Sequence, residues 1–420
     1  MIQDTPETKK MKSSKLMKYI IEEVHKQGVT GEEDTITVLT LKIMLRLVTN
    51  AKPTSSNILV SDTTGGGKDW VTKNICEVLL KEDITYFHRT ALSYKTLNYW
   101  QPKNSSGKYT TWDGKVLYLE DPDEELIQCQ AFKTMTSGEN KITVLKDQKI
   151  LDRKIEGKPV VIVTSMKTSI DDEGQRRWDA IRIDASQEVT EKVIFNAFTE
   201  ATGKTNQANT DEKFRLLIQE LQAYKVVIPF AEEIFKYYKN RNLIQRTQVH
   251  KLIDYIKAST VLHQYDRHVD NDGNLIAKKA DYELARFAYL HLKNEEGNAL
   301  NKKEEIVLDY LRDKGEPIKL VQIITELDDI SKDWIYRHKD QMVSKGLIST
   351  ITKFDAGSNK EVEHLKVNGG KKKVKNDLPS GKQIFGISDY LSSGQFYKEI
   401  DFTRQANNLK PLFKELYGGK

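Results

Sequence analysis

Lys68 closes a run of three glycines, Gly65–Gly67, that follows the apolar stretch 58–60, and an aspartate stands directly after it at 69. An apolar strand running into a glycine loop that ends in lysine presents successive backbone N–H groups to an anion, with the ammonium reaching its outer oxygens. A helix opening at Asp69 directs the positive end of its dipole at the same point. Thr64, Gly65, Gly66, Gly67, Lys68 and Asp69 are therefore candidate phosphate-binding residues. The usual spacing, G-x-x-x-x-G-K-[ST], is broken twice: Asp62 stands at the first glycine and Asp69 at the metal-binding hydroxyl. Glycine also serves strand–helix turns for geometry alone, so the loop needs its context.

That context lies downstream. The stretch 116–121, VLYLED, is four apolar residues closing on Glu120 and Asp121. Acids at a strand end beside a phosphate loop can hold Mg²⁺ and polarise a water. A buried strand with a solvated acidic cap explains the acids alone, but not their interval from the glycine loop. Next comes 159–165, PVVIVTS, whose Thr164 or Ser165 can sense a terminal phosphate. Arg176 and Arg177 then precede Trp178; an arginine there can reach a neighbouring subunit's phosphate, or be one of a surface pair.

The elements that must position these groups follow from periodicity. Residues 57–200 alternate short apolar strands (NILVSD, ITYFHR, KVLYLED, PVVIVTS, AIRID) with helical stretches, which predicts a three-layer α/β fold around a parallel sheet. Residues 14–50 have helical spacing, and 210–295 read as almost wholly helical. No apolar run approaches the roughly 20 residues of a membrane span, and the first residues lack a secretory core. Cys76 and Cys129, far apart in apolar stretches, suit free thiols in a reducing cytoplasm. A net charge of +5 leaves nucleic-acid binding to local basic patches.

The ordered set of glycine loop, acidic strand, Thr/Ser-ended strand and Arg-Arg-Trp resembles the AAA+ ATPases. Over residues 57–270 the chain is similar to the helicase module of primase–helicases from phages, plasmids and transposons, in RTALSYKTL (89–97), RIDASQEVT (182–190), VIPFA (227–231) and IKASTVLHQYDR (256–267). Minichromosome-maintenance helicases are a more distant likeness. The resemblance implies ATP and Mg²⁺ between subunits of a homo-hexameric ring. It gives Lys68 to the phosphates, Glu120 and Asp121 to metal and water, Thr164 to the first sensor, Arg177 to the arginine finger and Arg246 to a second sensor. The Glu-Asp order, the reverse of the family's, leaves open which acid activates water. Asp69, in the hydroxyl's place, is a candidate Mg²⁺ ligand with Glu120, since carboxylate oxygen suits that ion; the alternative is weak or absent hydrolysis.

Two further segments bear on DNA. KITVLKDQKILDRKIEGK (141–158) alternates around a polar Asp147-Gln148 turn, predicting a hairpin with Lys146, Lys149, Arg153 and Lys154 near its tip. In the related helicases such a hairpin grips single-stranded DNA in the ring channel; lysines on an exposed edge also discourage aggregation. Residues 302–368 fit a winged helix. Its third helix, 332–344, is capped by Ser331 and carries Arg337 and Lys339 towards duplex DNA, although such a module can equally bind protein. The tail 371–420 interleaves lysines with aromatics, as base stacking or packing on the body would both require. The expected organisation is an N-terminal helical region (1–50), an ATPase core (51–205), a helical lid (206–298), a winged helix (299–370) and the tail. The leading expectation is a mobile-element or viral replicative helicase, with a primase or other replication protein as a further partner and no membrane association. The alternatives are an initiator or helicase loader that uses ATP as a switch, and a non-hydrolysing DNA-binding regulator.

Overall fold

Strands β1 (Asn57–Ser61), β2 (Tyr86–Arg89) and β3 (Val116–Glu120) are followed by β4 (Lys141–Lys146), β5 (Lys149–Lys154), β6 (Val160–Ser165) and β7 (Asp179–Arg182). β1, β2, β3, β6 and β7 form one parallel sheet in the order β2-β3-β6-β1-β7, and β4 and β5 an antiparallel hairpin. The computed structural model describes residues 5–61, 67–97, 100–104, 106–138, 141–146, 149–154, 156–165, 178–184, 187–202, 210–238, 245–298, 302–327, 330–344, 347–355, 360–367 and 378–385.

Parallel strands covered on both faces read as near-continuous apolar runs, and here the period-two alternation divides those runs between two cores. Ile58, Val60, Tyr118, Ile162 and Ile181 face a core shared with the helices Leu16–His25, Glu33–Met44, Lys68–Leu79, Gln245–Leu262 and Lys279–Asn298. Leu59, Phe87, Leu117, Leu119, Val161 and Val163 face a second core built with Trp112 and the helix Gln130–Ser137. The result is an α/β fold with a five-stranded parallel sheet between helical layers. Residues 11–48 lie in the same apolar core as the sheet. No helix of the described residues is long and apolar enough to cross a membrane.

One charged cluster is buried inside the first layer. Asp179 accepts hydrogen bonds from Lys251 Nζ at 2.6 Å and Tyr255 Oη at 2.8 Å, and pairs with Lys42 Nζ at 2.5 Å. Lys251 Nζ also donates to the Trp178 carbonyl at 3.0 Å. Burial alone would raise the Asp179 carboxyl, but the two ammonium groups override it and hold the carboxyl well below the usual range.

The segment 210–295, read from sequence as almost wholly helical, also contains the parallel two-residue pair β8 (Val226–Val227) and β9 (Leu275–Ile276). Strands this short leave no alternation to read. Residues 302–367 run helix Lys302–Lys314, β10 (Ile318–Lys319), helix Leu320–Glu326, helix Lys332–Ser344, β11 (Ile348–Asp355) and β12 (Lys360–Val367). The three strands pair antiparallel as β10-β12-β11 over their own apolar core. Residues 378–385 return to the helix Lys279–Asn298: Tyr282 Oη donates to the Pro379 carbonyl at 2.6 Å, and Phe385 packs edge-on to Tyr282 and Phe230.

Glu32 takes the left-handed conformation (φ 65°) ahead of the helix Glu33–Met44 and ties that helix to the end of β7. Its carboxylate accepts from Thr35 Oγ1 at 2.7 Å and from the Asp184 amide at 2.7 Å. Burial outweighs these hydrogen bonds and pushes its pKa up to about 7. Between the unfolded value of about 4.3 and this raised one, the folded chain holds a proton that the unfolded chain has lost, so stability falls as pH rises through that window. Urea-denaturation free energies measured across it are expected to decline with pH in the parent and to flatten in Glu32→Gln.

Candidate active site

Gly67, with φ 88°, sits in the left-handed region where glycine is at no disadvantage, and the helix Lys68–Leu79 starts from it. This start carries Lys68 to the carboxyl end of the sheet with its residue only 9% exposed. Its Nζ lies 2.9 Å from Asp121 Oδ2 and 3.0 Å from Asp69 Oδ2. Burial lowers the lysine's pKa, and its hydrogen bonds to Asp121 and Asp69 more than reverse this, so the ammonium is held above its ordinary value.

The strand order supplies the rest. β6 lies between β1 and β3, with Thr164 opposite Val60 on one side and Glu120 on the other. Thr164 therefore stands between the phosphate-loop strand and the acidic strand. Asp121 leaves β3 at φ 36°, a backbone region aspartate tolerates better than most residues. The turn is fixed by its own amide donating to the Thr164 carbonyl at 2.9 Å, and it places the Asp121 carboxylate against Lys68.

Two residues not singled out from sequence complete the site. Tyr118 Oη donates to Asp69 Oδ1 at 3.2 Å and lies 3.4 Å from Thr164 Oγ1. Burial pushes its phenol far above the usual range, which keeps it a donor. His88 Nε2 lies 2.7 Å from Glu120 Oε1, and its ring stacks on Tyr118 at 4.7 Å between centroids. The signal for Tyr118 was present, since period-two alternation puts it on the face of Glu120. The signal for His88 required knowing that β2 pairs with β3 in the register His88↔Tyr118.

Lys68, Asp69, Glu120, Asp121 and Thr164 are thus brought together. Thr64, Gly65 and Gly66 of the loop, and Arg177, lie outside the described residues. Arg246 belongs to the helix Gln245–Leu262, and its side chain lies outside the described part. Lys146 pairs in register with Lys149 at the tip of the β4–β5 hairpin, but Arg153 and Lys154, expected near the tip, lie at its base opposite Ile142 and Lys141, because six residues on each strand pair before the turn. These hairpin side chains also lie outside the described part. Arg337 is exposed on the helix Lys332–Ser344, whereas Lys339 Nζ is bound by both oxygens of Glu363 at 2.9 and 2.7 Å. Lys339 therefore has its charge engaged by β12.

The donor set fits a magnesium-bound polyphosphate. One nearly enclosed ammonium is paired with carboxylates that a phosphate can replace, and the partly exposed Asp69 offers oxygen to a hard cation. No protein-family model and no curated protein matches the chain. Among solved structures, a "putative ATPase" from Cytophaga hutchinsonii is similar with a TM-score of 0.39 and 14% identity, over 67% of this chain and 87% of that one. A likeness of that size assigns no role to any residue of the site.

Removing the His88 ring leaves the partly buried Glu120 carboxylate without its partner. His88→Ala is expected to lower the unfolding free energy by about 1–3 kcal/mol, read from urea denaturation. An unchanged midpoint would mean that the pair is not formed in solution.

Proposed function

We propose that the chain is an ATP-driven, ring-forming replicative DNA helicase of the AAA+ class, translocating on single-stranded DNA for a virus, plasmid or other mobile element. The observation that carries this reading is Lys68 Nζ poised between Asp69 and Asp121 at the carboxyl end of a parallel sheet, with Thr164 beside them. ATP binding exchanges partners: Lys68 leaves the two carboxylates for the phosphate oxygens. Asp121, freed from Lys68, is then placed to accept a proton from the attacking water, while Glu120 is oriented by His88. Asp69 and Glu120 would hold Mg²⁺, which neutralises charge developing on the transferred phosphoryl group. Thr164 orients the water or the terminal phosphate, Arg177 comes from the neighbouring subunit of a hexamer, and Arg246 closes the lid over the nucleotide.

The DNA-facing parts of the reading are the β4–β5 hairpin, with Lys146, Lys149, Arg153 and Lys154, and residues 302–367 as a winged helix carrying Arg337. Its helix–strand–helix–helix–strand–strand order supports that module. A primase acting with the ring belongs to the same proposal.

Asp69 favours a second reading. A carboxylate in place of a hydroxyl brings negative charge towards a triphosphate, which suits an initiator or loader that hydrolyses slowly and uses ATP as a switch. ATPase rates with and without single-stranded DNA, together with a strand-displacement assay, separate the readings. Under the helicase reading the parent turns over ATP faster with DNA and unwinds, and Lys68→Ala loses both activities by at least about a hundredfold, as loss of a main transition-state contact requires. Equal unwinding by Lys68→Ala would overturn it. Asp69→Thr is expected to raise turnover if Asp69 is the brake, and to lower it if Asp69 is a working metal ligand.

A further inference from the structure

The connection from β2 to β3, residues 90–115, carries four basic residues and one acid, Asp113. Within it Lys103 and Tyr109 bridge antiparallel and close a tight turn. The turn is rigid. The Asn104 amide donates to the Lys108 carbonyl at 2.9 Å, and Asn104 Oδ1 accepts from the amides of Ser106 and Lys108 at 3.1 and 3.0 Å. Below it, the Thr110 amide donates to the Pro102 carbonyl at 2.8 Å. Tyr109 is nevertheless 71% exposed, with Lys103 Nζ 5.0 Å from its ring centroid, and Lys108 is exposed beside it. A turn this well specified that holds an aromatic ring and two ammonium groups in water contributes nothing to the core.

Its root is also shared with the hairpin. The buried Trp112 donates its amide to the Glu156 carbonyl at 2.6 Å, two residues beyond the end of β5. Lys158 donates its amide to Asp113 Oδ1 at 3.1 Å. Gly157 approaches so closely that a Cβ there would stand 2.5 Å from the Asp113 nitrogen. The 103–109 turn and the β4–β5 hairpin therefore spring from one place.

We propose that the 103–109 turn is a further contact for single-stranded DNA, with Tyr109 stacking on a base and Lys103 and Lys108 meeting the adjacent phosphates. This rests on the DNA-translocating reading, which by itself assigns channel contact only to the β4–β5 hairpin. An aromatic face with flanking ammonium groups is the chemistry that binds unpaired bases without regard to sequence.

The test measures binding of the full chain to dye-labelled oligothymidylate by fluorescence anisotropy over a range of salt, with a non-hydrolysable ATP analogue present. Tyr109→Ala is expected to weaken binding about 5- to 150-fold, the span seen for loss of one base–aromatic stack, and Tyr109→Phe to restore it. The double variant Lys103→Ala, Lys108→Ala is expected to lower the slope of log affinity against log salt by about 1.4, the loss of two phosphate contacts on a single strand. Because all three positions are exposed, each variant should keep the parent's circular dichroism and mass in solution. If Tyr109→Ala and the lysine double variant bind as the parent does while Lys146→Ala binds weakly, the turn is not a contact, and the DNA reading survives without it. Binding by Tyr109→Phe as weak as by Tyr109→Ala overturns the stacking role. A parent that binds no oligothymidylate overturns this inference and the DNA reading together.

Discussion

Three parts of the chain meet at the carboxylate of Asp179. Lys42 comes from the N-terminal helices, Lys251 and Tyr255 come from the helix Gln245–Leu262, and Asp179 opens β7. Placing two ammonium groups and a carboxylate out of water costs several kcal/mol per ion, recovered only when geometry is good and the remaining protons are used. Here they are used: Lys42 also donates to the Ser55 carbonyl and Lys251 to that of Trp178. Apolar packing between the same elements would tolerate sliding by a fraction of a turn, whereas this set is satisfied in one arrangement. Lys251 also binds the Trp178 carbonyl, so the helix Gln245–Leu262 fixes the chain where it enters β7.

At the other end of the sheet the charges are arranged for exchange rather than permanence. Lys68 is nearly enclosed, but its two carboxylate partners are 38% and 51% exposed and sit at the mouth of the site. Pairs of this kind contribute little to stability, because water competes for the exposed partners. Their effect is to keep the ammonium charged and in place at the mouth of the site. Glu120 and Asp121 are neighbours in sequence with different attachments, one to a histidine on the adjacent strand and one to the lysine.

The strands of the sheet were legible because burial on both faces writes long apolar runs into the sequence, and the loop lysine and acids were legible because they terminate those runs. Strand order was not. NILVSD and VLYLED carry nothing that says PVVIVTS lies between them, so the place of Thr164 and the reach of His88 to Glu120 could not be read. Asp179 was invisible for a different reason: its partners lie 137 residues before it and 72 after it in Lys42 and Lys251, and each lysine alone resembles a surface charge. The two residues of β10 form because Ile318 and Lys319 pair with Leu365 and His364, a contact no local pattern encodes. On Lys339, sequence saw a charge on a recognition helix and could not see Glu363 opposite it.

The polypeptide leaves the Lys279–Asn298 helix for the 302–367 block and comes back to that same helix, where Leu378 and Pro379 give their carbonyls to Arg286 and Tyr282 and Gly381 gives its amide to Glu283. The block is therefore hung from one covalent connection and one hydrogen-bonded return rather than from a single linker. An appendage samples orientations limited by its linker, and each doubling of a linker relaxes it only by about 0.6 kcal/mol. A doubly anchored unit gives up that freedom when its second anchor docks, and transmits force through both attachments. Any tilt of the Lys279–Asn298 helix then reaches the block through both attachments.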